Sequence, residues 1–182
     1  MSREEALNDR DRLPWLAHLR KIGIQKLDEE VRCRENDKVE GATVVERVDV
    51  GVVLVCSSLK RFYRQILRGK LEVKPAPPEA AHAGETSYEL REVNEASLAS
   101  PHTYFVWIKG DKETLRDRMA KRQGHFFKAK MLDSQFDVLE PPEGEPGVVI
   151  VSLDPSTEEQ IDIVLEGLKA LARDESVADS KS

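Results

Sequence analysis

The sequence predicts an α/β fold built on a parallel sheet. Three continuous apolar runs rich in β-branched and aromatic residues occur, at 50–56, 104–108 and 148–153. None alternates with polar residues, which is the pattern of a strand buried on both faces. Each is followed by a segment with apolar residues at helical spacing, and strands alternating with helices imply parallel pairing through crossovers. A length of 182 residues suits one domain with one core.

The first element expected is a helix over 13–34. Pro14 suits a first helical position, Asp11 can cap it, and Trp15, Leu16, Leu19 and Ile22 recur at helical spacing. Gly23 interrupts this pattern, which resumes at Ile24, Leu27 and Val31 and lapses over the charged 35–47. The run Val50–Cys56 is the first expected strand. Ser57 or Ser58 is the expected N-cap of the next helix, in which Leu59, Phe62, Tyr63 and Ile66 form one apolar stripe. This unit places a helix N-terminus at the C-terminal edge of the sheet, where open α/β sheets bind ligands.

Residues 70–102 differ in kind. Pro75, Pro77 and Pro78, many small residues and little periodicity predict a flexible insertion, with some order at 89–93. His82 and His102 fall in it and are read as surface residues. Tyr104–Ile108 is the second expected strand, Lys109-Gly110-Asp111 a turn, and 112–123 a helix. Prolines 141, 142 and 146 break structure before the third strand. Asp154-Pro155-Ser156-Thr157 then caps a helix carrying Ile161, Ile163, Val164, Leu168 and Leu171, and 173–182 is a polar, frayed tail. Trp15 and Trp107 are expected in the core, as is Cys56 at a strand end.

The net charge of −6 argues against a general nucleic-acid or anionic-membrane partner. Cys33 and Cys56 lack metal or redox spacing, so a reducing compartment is expected. The first residues lack a signal-peptide core and no apolar run could span a bilayer, which makes the cytoplasm the expected location. Against this acidic background two segments gather cations. Residues 56–74 hold six bases against one acid, and 109–130 hold eight against three. The second surrounds Gly124-His125-Phe126-Phe127 and reads as a phosphate-binding lid over 116–140. Both begin near C-terminal ends of expected strands, so both can overhang one cleft. A small phosphorylated ligand fits this better than a long polyanion, because arginine matches phosphoryl oxygens bidentately.

Three segments carry a resemblance: DRDRLPWL (9–16), VCSSLKRFYRQILR (55–68) and RMAKRQGHFFKAKMLDSQFDVLEPP (118–142). In this order they resemble the signatures of the P-loop gluconokinases, the thermoresistant gluconokinase family, related to shikimate and adenylate kinases. The resemblance implies a three-layer parallel sheet of the P-loop kinase type. It implies ATP-dependent phosphorylation of D-gluconate to 6-phospho-D-gluconate with Mg²⁺. By it Arg12 would grip the gluconate carboxylate, and Lys60, Arg64 and His125 would bind substrate. Arg118 and Arg122 would close over the ATP phosphates and neutralise transition-state charge. Asp154 and Ser156 would border the adenine. The implied partners are small molecules, with neither nucleic acid nor membrane, and a homodimer is compatible with it.

Family members open with a strand and a phosphate-cradling G-x-x-G-x-G-K-S/T loop, and have shorter connections at 24–48 and 70–102. Residues 1–182 contain no G-x-x-x-x-G-K-S/T, and no metal ligand is assigned in them. The expectation is an N-terminally truncated member, one incomplete domain over 1–182, lacking the phosphate-loop strand and its helix. In the family that strand lies between the counterparts of 50–56 and 104–109. Its absence is expected to part them or force another pairing, and to stop ATP turnover and impair nucleotide and Mg²⁺ binding. A non-catalytic gluconate-binding or regulatory remnant is the alternative. An RNA-binding protein ranks third, because the cleft lacks interleaved aromatics.

Overall fold

The computed structural model describes residues 8–36, 50–77, 87–94, 102–121 and 129–179. They fall into two compact units, 1–58 with 62–101, and 59–61 with 102–182.

In the first unit, helix α1 (Asp9–Asn36) starts earlier than Pro14 would set it. Asn8 caps it instead. The Asp11 N–H donates to Asn8 Oδ1 at 3.1 Å, and the Asn8 N–H donates to Asp11 Oδ2 at 3.1 Å. This reciprocal box satisfies two donors at once, so it overrides the pull of Pro14 toward the first position. The helix also runs through Gly23, where a side chain would meet Leu54 Cδ1 at 3.0 Å. Helix α2 (Arg61–Arg68), which belongs to this unit from Phe62 on, buries Tyr63, Ile66 and Leu67, and the first unit also buries Leu13 and Leu16 of α1. Trp15, expected in the core, is 45% exposed. Gly69 ends α2 with a positive φ of 79°. Gly69 N–H bonds Ile66 O and Lys70 N–H bonds Gln65 O, a Schellman closure that only glycine enters without strain. The Arg20 guanidinium fills the space a side chain would need there and donates to Leu67 O at 2.5 Å. Its burial lowers its pKa.

Strands β1 (Leu71–Pro75) and β2 (Tyr88–Glu92) pair antiparallel and pack on α1. Both lie inside the stretch read as an insertion; order was expected only around 89–93. Prolines and weak periodicity hid β1, whose pairing is made with residues more than a dozen positions away.

Residues 50–56 are not a strand. They form no sheet ladder among the described residues, and Val53 and Val55 are 89% and 95% exposed. Apolar, β-branched composition favours an extended chain, but a strand exists only through partner hydrogen bonds. Ser57 and Ser58 do not cap α2 either. Ser58 has a positive φ of 41° and lies three residues before the first helical residue.

In the second unit β3 (Phe105–Lys109) and β4 (Val148–Ser152) pair in parallel, Phe105 opposite Val148 and Lys109 opposite Ser152. The expected α/β class with a parallel pair is therefore present. Helices α3 (Lys112–Lys121) and α4 (Ala129–Asp137) lie between these strands in the chain, and α5 (Thr157–Asp179) packs on β4. Val149, Val151, Leu153, Leu132 and Leu59 are the buried apolar residues here. Gly167 of α5 sits so near Val149 that a Cβ would be 2.8 Å from Cγ1, which lets helix and strand approach closely. The α5 start follows expectation: Glu159 N–H donates to Ser156 Oγ and Ser156 N–H to Glu159 Oε2, a second capping box.

Candidate functional site

Arg12 closes the first turn of α1, its N–H donating to Asn8 O at 3.2 Å, because the Asn8 cap begins the helix so early. Its guanidinium carbon stands 5.9 Å from the centre of the Tyr63 ring, within cation–π range. The Tyr63 hydroxyl donates to Asp9 Oδ1, and Phe62 packs edge-on against the Tyr63 ring. Arg12, Asp9 and Tyr63 thus form one cluster in the first unit. Arg64 is 2% exposed and the only charged residue buried among those described. Its Nη1 donates to Ser58 O at 2.8 Å, which holds the left-handed turn before α2.

Lys60 belongs to the second unit with Leu59 and Arg61. It immediately precedes α2 and has no side-chain acceptor, so it cannot cap the helix. Glu140 supplies the cap from a distant part of the chain. Its Oε2 accepts the Arg61 N–H at 2.6 Å, and its own N–H donates to Leu59 O at 2.9 Å. Sequence reasoning missed this role of Glu140; its place at the end of the third signature was the available signal.

The two described arms of the expected lid are tied at Asp133. Its Oδ1 accepts from Lys112 at 2.9 Å and from Arg116 at 2.8 Å, while Lys112 also stands over the Phe136 ring. The hydrogen bonds from Lys112 and then Arg116 lower the Asp133 pKa. Arg118 reaches the other way: its Nη2 donates to Leu153 O at 3.0 Å, the residue before Asp154. Arg118, Asp154 and Ser156 are therefore brought to one end of β4. Gln160 completes the shaping of that loop, with Nε2 within 3.1–3.2 Å of the carbonyls of Ser152, Leu153 and Pro155. No spacing rule pointed to Gln160. A shallow open depression beside this loop is lined by Asp154, Pro155, Glu159, Asp162 and Ile163. Arg122 and His125 lie outside the described residues.

Chemically, the first cluster offers a guanidinium beside an aromatic face, suited to an anionic organic ligand. The β4 end offers an arginine fork and a tightly hydrogen-bonded loop beside an open depression. No family model matches the chain. It is 34% identical over 170 residues to a probable gluconokinase of Rattus norvegicus, covering 93% of this chain and 75% of that protein. It is 29% identical over 170 residues to the thermoresistant gluconokinase of Escherichia coli, covering 93% of this chain and 70% of that one. A crystal structure of a gluconokinase from Sinorhizobium meliloti superposes with a TM-score of 0.59 at 28% identity, over 95% of this chain and 70% of that one.

Proposed function

The chain belongs to the gluconokinase family, and on that premise we propose that it serves the ATP-dependent phosphorylation of D-gluconate to 6-phospho-D-gluconate. The observation that carries this reading is the Arg12–Tyr63–Asp9 cluster, built from two of the three signature segments. In this reading Arg12 holds the gluconate carboxylate through its fork, and Lys60 lies on the sugar-acid side. Arg64 acts there mainly through the Ser58 turn it bonds. The terminal hydroxyl of gluconate attacks the γ-phosphorus of ATP while Arg118 and Arg122 neutralise charge on the transferred group and exclude water. His125 stands at the lid tip, and the loop around Asp154 and Ser156 borders the adenine. The bond from Arg118 to Leu153 O supports placing the lid arginine beside that loop.

β3 and β4 are assigned as two strands of a three-layer P-loop sheet, with 70–102 an insertion and a homodimer as the assembly. The reaction is assigned to the cytoplasm, with no nucleic acid or membrane partner. Among the described residues no helix is long and apolar enough to cross a membrane. Nor do three or more His, Cys, Asp or Glu side chains gather where they could hold a metal ion.

Residues 1–182 contain no G-x-x-x-x-G-K-S/T loop, and this favours a second reading in which they bind gluconate without turning over ATP. Calorimetry with D-gluconate is expected to show binding, weakened about tenfold by Arg12→Ala. A folded sample that gives no heat of binding overturns both readings. A coupled assay separates them: residues 1–182 alone are expected to consume no ATP. Gluconate-dependent turnover that Arg118→Ala abolishes would discard the non-catalytic reading.

A further inference from the structure

We propose that Glu140 is a positioning residue that sets the backbone of Lys60 for the gluconate side of the site. The proposal rests on the role given to Lys60 above. Its geometry stands apart from that role. Helix α2 opens at Arg61 with no acidic residue in its own first turn. Glu140 answers both neighbours of Lys60 at once, accepting from Arg61 N–H at 2.6 Å and donating to Leu59 O at 2.9 Å. A carboxylate on the first N–H of a helix is also favoured by the helix dipole. Two residues before Lys60, Ser58 holds a left-handed φ of 41°, uncommon for serine, with its carbonyl bonded by Arg64 Nη1 at 2.8 Å. Strained backbone of this kind persists only where the surroundings over-determine it. Lys60 thus sits between a strained turn and a two-point clamp, and its side chain leaves from a backbone with little freedom.

Glu140 also ends the arm that begins at α4. Leu139 N–H bonds Phe136 O at 3.3 Å, closing the turn between helix and clamp. At its other end the α4 arm is tied to α3 through Asp133, which takes Lys112 and Arg116. The α4 arm and the backbone at Lys60 are thereby parts of one hydrogen-bonded connection.

The test compares hydrogen exchange at the Arg61 amide and calorimetric D-gluconate affinity in wild type, Glu140→Ala and Glu140→Gln, each checked as folded by circular dichroism. Glu140→Ala is expected to speed Arg61 exchange by about tenfold or more. It should also weaken gluconate binding by about tenfold. Glutamine keeps a carbonyl acceptor and should restore both. Wild-type exchange in Glu140→Ala overturns the clamp. Fast exchange with unchanged gluconate affinity overturns the positioning role, as does a Glu140→Gln variant with slow exchange but weakened affinity. A wild-type protein that binds no gluconate fails the functional reading instead, and the Arg61 exchange then decides the clamp by itself.

Discussion

Arg64 carries a charge at 2% exposure, and its Nη1 bond to Ser58 O is one reason that charge can stay inside. A buried guanidinium is costly unless its donors are met, and removing it leaves the carbonyl short of a partner. Arg64→Ala is therefore expected to cost about 2 kcal/mol of stability, the range for a hydrogen bond to a charged group. Urea denaturation of the two proteins measures it, and an unchanged midpoint would refute the account. The same residue shows how far sequence reading reaches. Its place in the second signature marked it as a ligand contact in the first turns of a helix facing the cleft. Its burial came from tertiary packing, which puts Tyr63, Arg64, Ile66 and Leu67 all inward on an eight-residue helix. Glu140 is the opposite case. It was legible as part of a signature, but its partners Leu59 and Arg61 lie some eighty residues away and no local rule finds them.

Among the elements, those closed by local chemistry were the ones the sequence predicted best. The strands at 105–109 and 148–152 and the helix from Thr157 fall within two residues of expectation. Ser156 and Glu159 form their box within one turn, so the signal and the structure are the same few residues. The α3–α4 connection depends instead on Asp133, an ion pair between helices. Asp133 has its folded-state pKa lowered below the ordinary 3.8 by Lys112 and Arg116. A depressed carboxylate adds stability above its unfolded value and loses it as pH falls through the folded one. Asp133→Asn should therefore lower the melting temperature at pH 7. The difference should begin to shrink as pH drops below about 3.8 and close as pH falls through the lower folded-state value, where the folded wild type is protonated too. Thermal melts of both proteins across that range give the check. The pair is exposed, so the effect should be small and shrink in high salt.

At the scale of the whole molecule, the largest departure from the expected α/β pattern is the run 50–56. Val52 and Leu54 are about 40% exposed, and Val53 and Val55 are almost fully so. A hydrophobic segment outside any ladder among the described residues can act as a template for intermolecular pairing. Val53→Lys with Val55→Lys is expected to reduce self-association, read by sedimentation velocity. Stability should move by no more than about 0.5 kcal/mol, since exposed sites away from special features tolerate change. Aggregation as strong as wild type would remove that assignment.

The sequence by itself determined the family, through three long signatures occurring in order. It determined the α/β class through unalternating apolar runs, and the helix that begins after Ser156 through its cap. Only the tertiary structure decided which apolar run became a strand, because a strand is a relation between two segments and composition describes one. It alone decided that Arg64 lies inside, that β1 pairs with β2, and that Glu140 starts α2, each through contacts between residues far apart in the chain.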